Sequence, residues 1–328
     1  MGSSVNKNMS KEVPDLCVIV VSYNTAYLID EMMSKLSCAA ERLKLQVIVV
    51  DNASSDGSAA LIRERYPTVD LVESPVNLGF GRANGLVLPR ACARYVLLLN
   101  TDAFVAPDTL EKTLAYMEAN PDCGVLGVKL VGRDGELQPS CRYFPTPWNV
   151  FLWRTGLSHL FLRTRLVDDM AWDHASVRDC DWVPGCYYLM RRDVIDQVGL
   201  FDPRYFLYYE EVDHCRAVKA AGWRVIYFPD TQVVHIGGES AKSQGELSTS
   251  GRQLSALQAE SEMLYFRKHH GLSGVMASAV LEHVAALWLT AKHLLRGRGL
   301  RSFGTHVRTM RLWWHVARQT GLGTKATR

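Results

Sequence analysis

The chain has 328 residues, 48% of them hydrophobic and 22% charged, which excludes disordered and fibrous classes and suffices for one large domain or a domain with an appendage. Its net charge of +3 hides an asymmetry: from Arg267 onward eleven Lys or Arg face the single Glu282, leaving −7 for the rest. An acidic body with a basic tail implies an anionic partner for the tail. The eight cysteines form no C-x-x-C pair, and MGSSVNKNMSKEVPD lacks the apolar core of a signal peptide, so a reducing cytoplasm is expected.

In chain order, LCVIVV (16–21) reads as a buried strand, and Leu28, Ile29, Met32, Met33, Leu36 and Leu43 form the apolar stripe of a helix. QVIVV (46–50), VDLV (69–72) and YVLLL (95–99) repeat the strand signal, with helical segments near 57–66 and 79–92 between them. Pro107 reads as the first residue of a helix that Asn120-Pro121 closes. Strands alternating with helices at this spacing predict a parallel, doubly wound sheet.

Such sheets bind ligands at the carboxyl ends of their strands. There lie Ser22-Tyr23-Asn24, Asp51-Asn52 with Ser54 and Ser55 beyond, and Asn100-Thr101-Asp102. No G-x-G-x-x-G follows the first strand and no G-x-x-x-x-G-K-[ST] occurs, so neither a dinucleotide enzyme nor a P-loop enzyme is supported. Three leucines running into Asp102 are informative, because a buried strand is costly to end on a carboxylate that nothing uses. Two uses fit: capping the next turn, or holding a cation. Glu210, Glu211 and Asp213 stand at the head of a helix ending near Gly222. Glu210 and Asp213 share a face that Glu211 does not. Acids in a first turn also complement the helix dipole.

The stretches VSYNTAYL, VVDNASSDGS, NLGFGRANG, LLLNTDAFVAPDTL, DGELQPSCRYFPTP, WVPGCYYLMRRDVIDQVGLFDPRYFLYYEEVDHCRAVKAAGWRVIYFP and VVHIGGES, in that order, resemble family 2 glycosyltransferases of the GT-A fold. Within that family they are most similar to bacterial rhamnosyltransferases that use a dTDP-sugar. The resemblance runs from about residue 16 to 240. It implies an α/β GT-A domain, Rossmann-like, with a mostly parallel sheet flanked by helices. It implies a dTDP-sugar donor and a Mg2+ or Mn2+ ion held by Asp102, the surviving acid of a D-x-D element, with His235 near the diphosphate or the metal. Glu211 takes the position of the family's catalytic base, with Glu210 in reserve; glutamate there adds a methylene to the family's aspartate. Ser22, Tyr23, Asn24, Asp51, Asn52 and Arg82 are implied nucleotide contacts, although an exposed arginine is also the ordinary state of Arg82. Asn100, Thr101, Trp182, Gly185 and Asp213 are implied around the sugars, with an ordinary core tryptophan as the other reading of Trp182. Gly237, Gly238, Ser240 and Lys242 are implied in a loop over the diphosphate.

Past Gly251 the resemblance fades. Val275 to Leu295 is apolar, but Glu282, His283, Lys292 and His293 make it too costly a hydrocarbon span. With Arg296, Arg298, Arg301, Arg308, Arg311, Trp288, Trp313 and Trp314, the tail reads as amphipathic helices lying on an anionic leaflet. A helical dimerisation element, giving a homodimer, is the competing reading. The expected layout is a disordered segment 1–14, a GT-A domain 15–250 and a basic helical tail 251–328. The expected activity is inverting transfer of L-rhamnose from dTDP-rhamnose to a saccharide acceptor carried on a lipid diphosphate, at the inner face of the cell membrane, without nucleic acid. Another donor such as a UDP-hexose, or a catalytically silent nucleotide-sugar binding module, is the alternative.

Overall fold

The computed structural model describes residues 13–237, 252–295 and 301–328. The apolar runs form β1 (Leu16–Ser22), β2 (Leu45–Asp51), β3 (Asp70–Glu73) and β4 (Tyr95–Asn100), joined by α1 (Ala26–Ala39), α2 (Ser58–Arg65) and α3 (Phe80–Val87). Every residue of β1 is buried, as a central parallel strand covered on both faces requires. α1 buries the stripe Leu28, Ile29, Met32, Met33, Leu36.

After β4 come β5 (Ala103–Val105), α4 (Thr109–Ala119), β6 (Cys123–Val131), β7 (Leu137–Gln138), α5 (Pro147–Thr155), β8 (Arg178–Asp179), β9 (Tyr187–Arg191), α6 (Arg192–Val198), α7 (Glu210–Ala220) and β10 (Arg224–His235). Pro107 precedes α4 rather than opening it; Asp108 is the N-cap. The strand order is β3-β2-β1-β4-β9-β6-β10-β5, with β7 on β6 and β8 on β10. The sheet is mixed, parallel along β3-β2-β1-β4 and between β6 and β10. β9 lies antiparallel between β4 and β6, and β5 runs antiparallel to β10. All five residues of β9 are buried, because it sits mid-sheet. Register places Ser22 beside Asp51, and Val21 beside Asn100, so three polar strand ends share one edge.

The tail comprises α8 (Arg252–Leu295), bent at Gly271, and α9 (Arg301–Gln319). Met263, Leu264, Tyr265, Phe266, Val275, Trp313 and Val316 join the core under the sheet, so the tail packs on the domain. Thr327 donates through its N–H and hydroxyl to Glu260, both at 2.7 Å. Lys268 and His269 reach Asp213 at 2.7 and 2.6 Å, and Lys268 also reaches Asp202 at 2.9 Å. The second half of α8 leaves Leu272, Met276, Val280, Val284, Leu287 and Trp288 exposed, a stripe at i, i+4 spacing. By length and composition 256–295 is apolar enough to cross a membrane, and 22% of its most apolar window is buried in the protein. The sequence expectation excluded a span on four polar residues, of which only Glu282 and Lys292 carry a fixed charge.

Candidate functional site

The edge formed by the ends of β1, β2 and β4 is polar and buried. Asp51 accepts from the Ser54 N–H at 3.0 Å through Oδ2, while its Oδ1 is buried without a partner. Asn52 donates to Asn77 at 2.9 Å and accepts from the Leu78 N–H at 2.8 Å, tying the β2 end to the turn before α3. Asn24, at φ 51°, accepts from the Ser55 N–H at 2.7 Å, and its own N–H donates to Ser54 at 3.0 Å. Ser22 is fully buried and bonds Thr25 at 3.2 Å, while Tyr23 is half-buried beside it. Gly79 is required in the adjoining turn: its φ is +79°, and a Cβ there would stand 2.2 Å from the Phe206 carbonyl oxygen. These two loops therefore form a rigid frame around one orphaned carboxylate oxygen, and an orphan of that kind calls for a ligand donor.

Asp102, at 3% exposure, lies between β4 and β5, and because β5 pairs with β10 it meets the end of β10, where the Ile236 N–H donates to its carbonyl at 3.1 Å. The Gly237 N–H donates to its Oδ2 at 3.2 Å, with Gly237 at φ +83°, and His235 Nε2 stands 3.7 Å from its Oδ1. Gln138 fixes the imidazole. Its Nε2 donates to the His235 carbonyl at 2.8 Å, which turns its Oε1 toward His235 Nδ1 at 3.0 Å. Nδ1 is thus the protonated nitrogen, and the Nε2 lone pair faces Asp102. Burial lowers the His235 pKa against the opposing pull of Asp102, which keeps the ring neutral. Two donors of one ion with bonds of about 2.1 Å stand roughly 3–4 Å apart, so this pair fits a hard divalent cation completed by phosphate and water oxygens. Among the described residues no group of three His, Cys, Asp or Glu side chains forms a metal cage. Thr101 Oγ1, next to Asp102, is buried without a partner; Asn100 donates its N–H to Cys186 at 3.0 Å.

The acids at the head of α7 separate by face. Tyr208 and Tyr209 precede them at φ 72° and 68°, a strained approach that aims the helix start. Glu211 lines a cavity of about 1300 Å³ shared with Arg142, Trp182, Tyr208, Glu262 and Arg308. Its Oε2 is buried without a partner, and burial raises its pKa above the usual carboxylate range despite the nearby Arg142 guanidinium. Glu210 is 3% exposed and turned toward α3, where Gly81 makes room for it; burial and the Glu211 charge raise its pKa well above normal. Arg142 is held by Asp168 at 2.6 Å and lies over the Trp182 ring at 4.1 Å.

Several expected contacts stand elsewhere. Asp213 is turned away from the cavity into the ion pairs with Lys268 and His269, because it shares the inner face of α7 with Glu210. Trp182 borders the cavity but is 5% exposed, donates to the Tyr143 carbonyl at 2.9 Å and has one face covered by Arg142. Arg82 donates to the Arg328 carbonyl at 2.9 Å, although its Nε remains buried and unpartnered. Gly185 packs against the Phe80 ring. Gly238, Ser240 and Lys242 lie outside the described residues. Sequence reasoning did not single out Arg142, Asp168 or Glu262; the only signal was Arg142 inside the quoted stretch DGELQPSCRYFPTP.

The Glycosyl transferase family 2 model matches residues 17–174. The N-acetylglucosaminyl-diphospho-decaprenol L-rhamnosyltransferase of Mycobacterium tuberculosis is 29% identical over 243 residues, covering 67% of this chain and 75% of that protein. Rhamnosyltransferase WbbL of Escherichia coli K12 is 25% identical over 237 residues, covering 69% and 85%. Among solved structures, the mannosyltransferase PcManGT from Pyrobaculum calidifontis in complex with GDP-Man and Mn2+ superimposes with a TM-score of 0.54 at 18% identity, covering 96% of this chain and 88% of that one, a likeness of fold. The matched domain and the rhamnosyltransferase relatives agree on one identity: residues 17–174 carry a family 2 glycosyltransferase domain within a GT-A-like fold, and the chain is a glycosyltransferase similar to rhamnosyltransferases.

Proposed function

We propose that this enzyme moves L-rhamnose, with inversion, from dTDP-rhamnose to a hydroxyl of a saccharide carried on a lipid diphosphate, at the cytoplasmic face of a membrane. The observation that carries this is Glu211, which presents a buried, unpartnered carboxyl oxygen to a cavity wide enough for a sugar acceptor. Asp51, Asn52 and the Tyr23-Asn24 turn bind the nucleoside, with the orphaned Asp51 Oδ1 accepting from base or ribose. Asp102 and His235 would hold Mg2+ or Mn2+, which when bound neutralises the diphosphate as charge develops on it. Glu211 takes the proton of the acceptor hydroxyl as its oxygen attacks the anomeric carbon. The bond from that carbon to the diphosphate breaks on the opposite face, and its electron pair leaves with the nucleotide. The closed frame around Asp51 excludes water from one side of the donor.

The names of the relatives support rhamnose and the lipid diphosphate, and the exposed apolar stripe of α8 supports the membrane. The decisive measurement is transfer and donor hydrolysis across dTDP-, UDP- and GDP-sugars with a prenyl-diphosphate-linked N-acetylhexosamine as acceptor. dTDP-rhamnose is expected to give the highest kcat/KM. Preference for a UDP-hexose by more than tenfold would replace the donor, and product that retains the donor's anomeric configuration would remove Glu211 as the base.

A further inference from the structure

The Glu211 cavity does not end at the catalytic domain. It runs outward between α5, α8 and α9, where Arg308 and Arg311 line it and are exposed to solvent. A second cavity, of about 640 Å³, begins at the same place and shares Arg311 and His315 with the first. Its walls are mainly apolar: Leu287 on α8, with Val307, Met310 and Trp314 on α9. The two cavities thus adjoin at Arg311 and His315, so a buried carboxyl, a pair of arginines and an apolar groove follow one another toward a helix whose outer stripe is itself apolar and exposed. At the inner end the carboxylates are committed. Asp168 is paired with Arg142 and Glu282 with Arg154, while Glu262 is held by Tyr209 and Ser278, with burial raising its pKa. Arg308 and Arg311 bring guanidinium groups to the place where the two cavities meet. Arginine is suited there, because its planar fork matches phosphate oxygens.

We propose that the tail builds the acceptor site. Arg308 and Arg311 bind the diphosphate of a polyprenyl-diphosphate-linked saccharide, the α8/α9 groove takes its first isoprene units, and the sugar lies in the inner cavity with its hydroxyl at Glu211. The order of the three chemistries along the path is the order of sugar, diphosphate and lipid in that molecule. A free phosphate would use the arginines and leave the groove empty. A water-soluble glycan would use the inner cavity alone. The inference rests on the reading of the enzyme as a transferase acting on lipid-linked sugar, yet it can fail separately from that reading.

The test is calorimetry with farnesyl diphosphate on the full chain, with dTDP saturating the donor site. Wild type is expected to bind farnesyl diphosphate at least tenfold more tightly than inorganic diphosphate. Arg308→Gln with Arg311→Gln should weaken farnesyl diphosphate at least tenfold, and Met310→Asp should abolish its advantage over inorganic diphosphate, with dTDP affinity unchanged in every variant as the measure of folding. In turnover, the arginine variant should raise KM for a prenyl-diphosphate-linked acceptor at least tenfold and leave an alkyl glycoside of the same sugar unaffected. Equal binding of the two probes, or farnesyl diphosphate affinity indifferent to both arginines, overturns the proposal even if rhamnosyl transfer stands. Arginine-dependent binding by an enzyme that transfers no sugar to lipid acceptors would keep the site and overturn the transferase reading on which it was framed.

Discussion

At the scale of single residues, the site is a set of carboxyls whose surroundings give them different protonation. Glu210 and Glu211 are adjacent in sequence, yet one is sealed against α3 and the other opens on the cavity. Burial raises both, and Glu210 further because it also feels the Glu211 charge. Two acids so close titrate as a pair, and burial favours holding a proton between them. Glu211→Gln should lose roughly 10²- to 10⁴-fold in kcat with dTDP affinity little changed. Glu210→Gln, at a carboxyl sealed against α3 and away from the cavity, should lose less than tenfold. The acid limb of the wild-type pH–kcat profile should fall above the usual glutamate value of about 4.3, since the base must be ionised and burial opposes that. A larger loss in Glu210→Gln would move the base by one residue. How α7 is turned was legible in the 3.6-residue period. That Asp213 would be consumed by Lys268 and His269 was not, since those partners lie more than fifty residues away.

At the scale of elements, β1, β2, β3 and β4 were legible because each is a short apolar run bounded by turn residues, as parallel strands covered by helices must be, although β3 at the sheet edge is only half-buried. β9 was not assigned a place. Its residues YYLMR carry the same signal, but strand direction is set by which neighbours it meets, and both are distant in sequence. The join between α7 and α8 is likewise a tertiary fact with a measurable weight. Asp213 would be raised by burial, but hydrogen bonds from His269 and Lys268 outweigh that and leave its pKa below normal; Asp202 is lowered against burial by Arg204 and Lys268. A carboxylate whose folded pKa is depressed stabilises the fold above its unfolded pKa of about 3.9, and that contribution fades as pH falls through the folded value. Lys268→Met should cost roughly 1.5–3 kcal/mol near neutral pH, the worth of hydrogen bonds to charged groups. The deficit should be smaller at pH 3 than at pH 7, because the aspartates of the unfolded chain take up protons there before those of the folded protein do. Denaturant unfolding at the two pH values checks this, and an equal deficit at both would assign the loss to packing of the lysine stem instead.

At the scale of the whole molecule, the tail does two things at once: it closes the core with Met263, Phe266 and Trp313, and it turns an apolar stripe outward. A dimerisation helix would also show such a stripe, but a symmetric contact would bring two strongly basic tails together, which a membrane of anionic lipid avoids. The stripe has a neighbour that no periodicity could reveal. α5 packs on α8 through Phe151, Leu152 and Ala285, and α5 and the turn after it expose Trp153, Leu160, Phe161 and Leu162. Two segments about 120 residues apart thus leave large apolar side chains facing solvent around one helix pair, more than scattered surface residues require. Each Lys or Arg close to an anionic leaflet adds about 1 kcal/mol, screened as salt rises, whereas the apolar contribution is not screened. Full-length protein should float with phosphatidylglycerol liposomes at low salt and be released only in part at high salt. Val284→Glu with Leu287→Glu should make release complete at high salt and leave dTDP affinity unchanged. A wild-type protein that stays with the soluble fraction at low salt, and sediments as a dimer which the same two substitutions dissociate, would give the stripe to a second subunit.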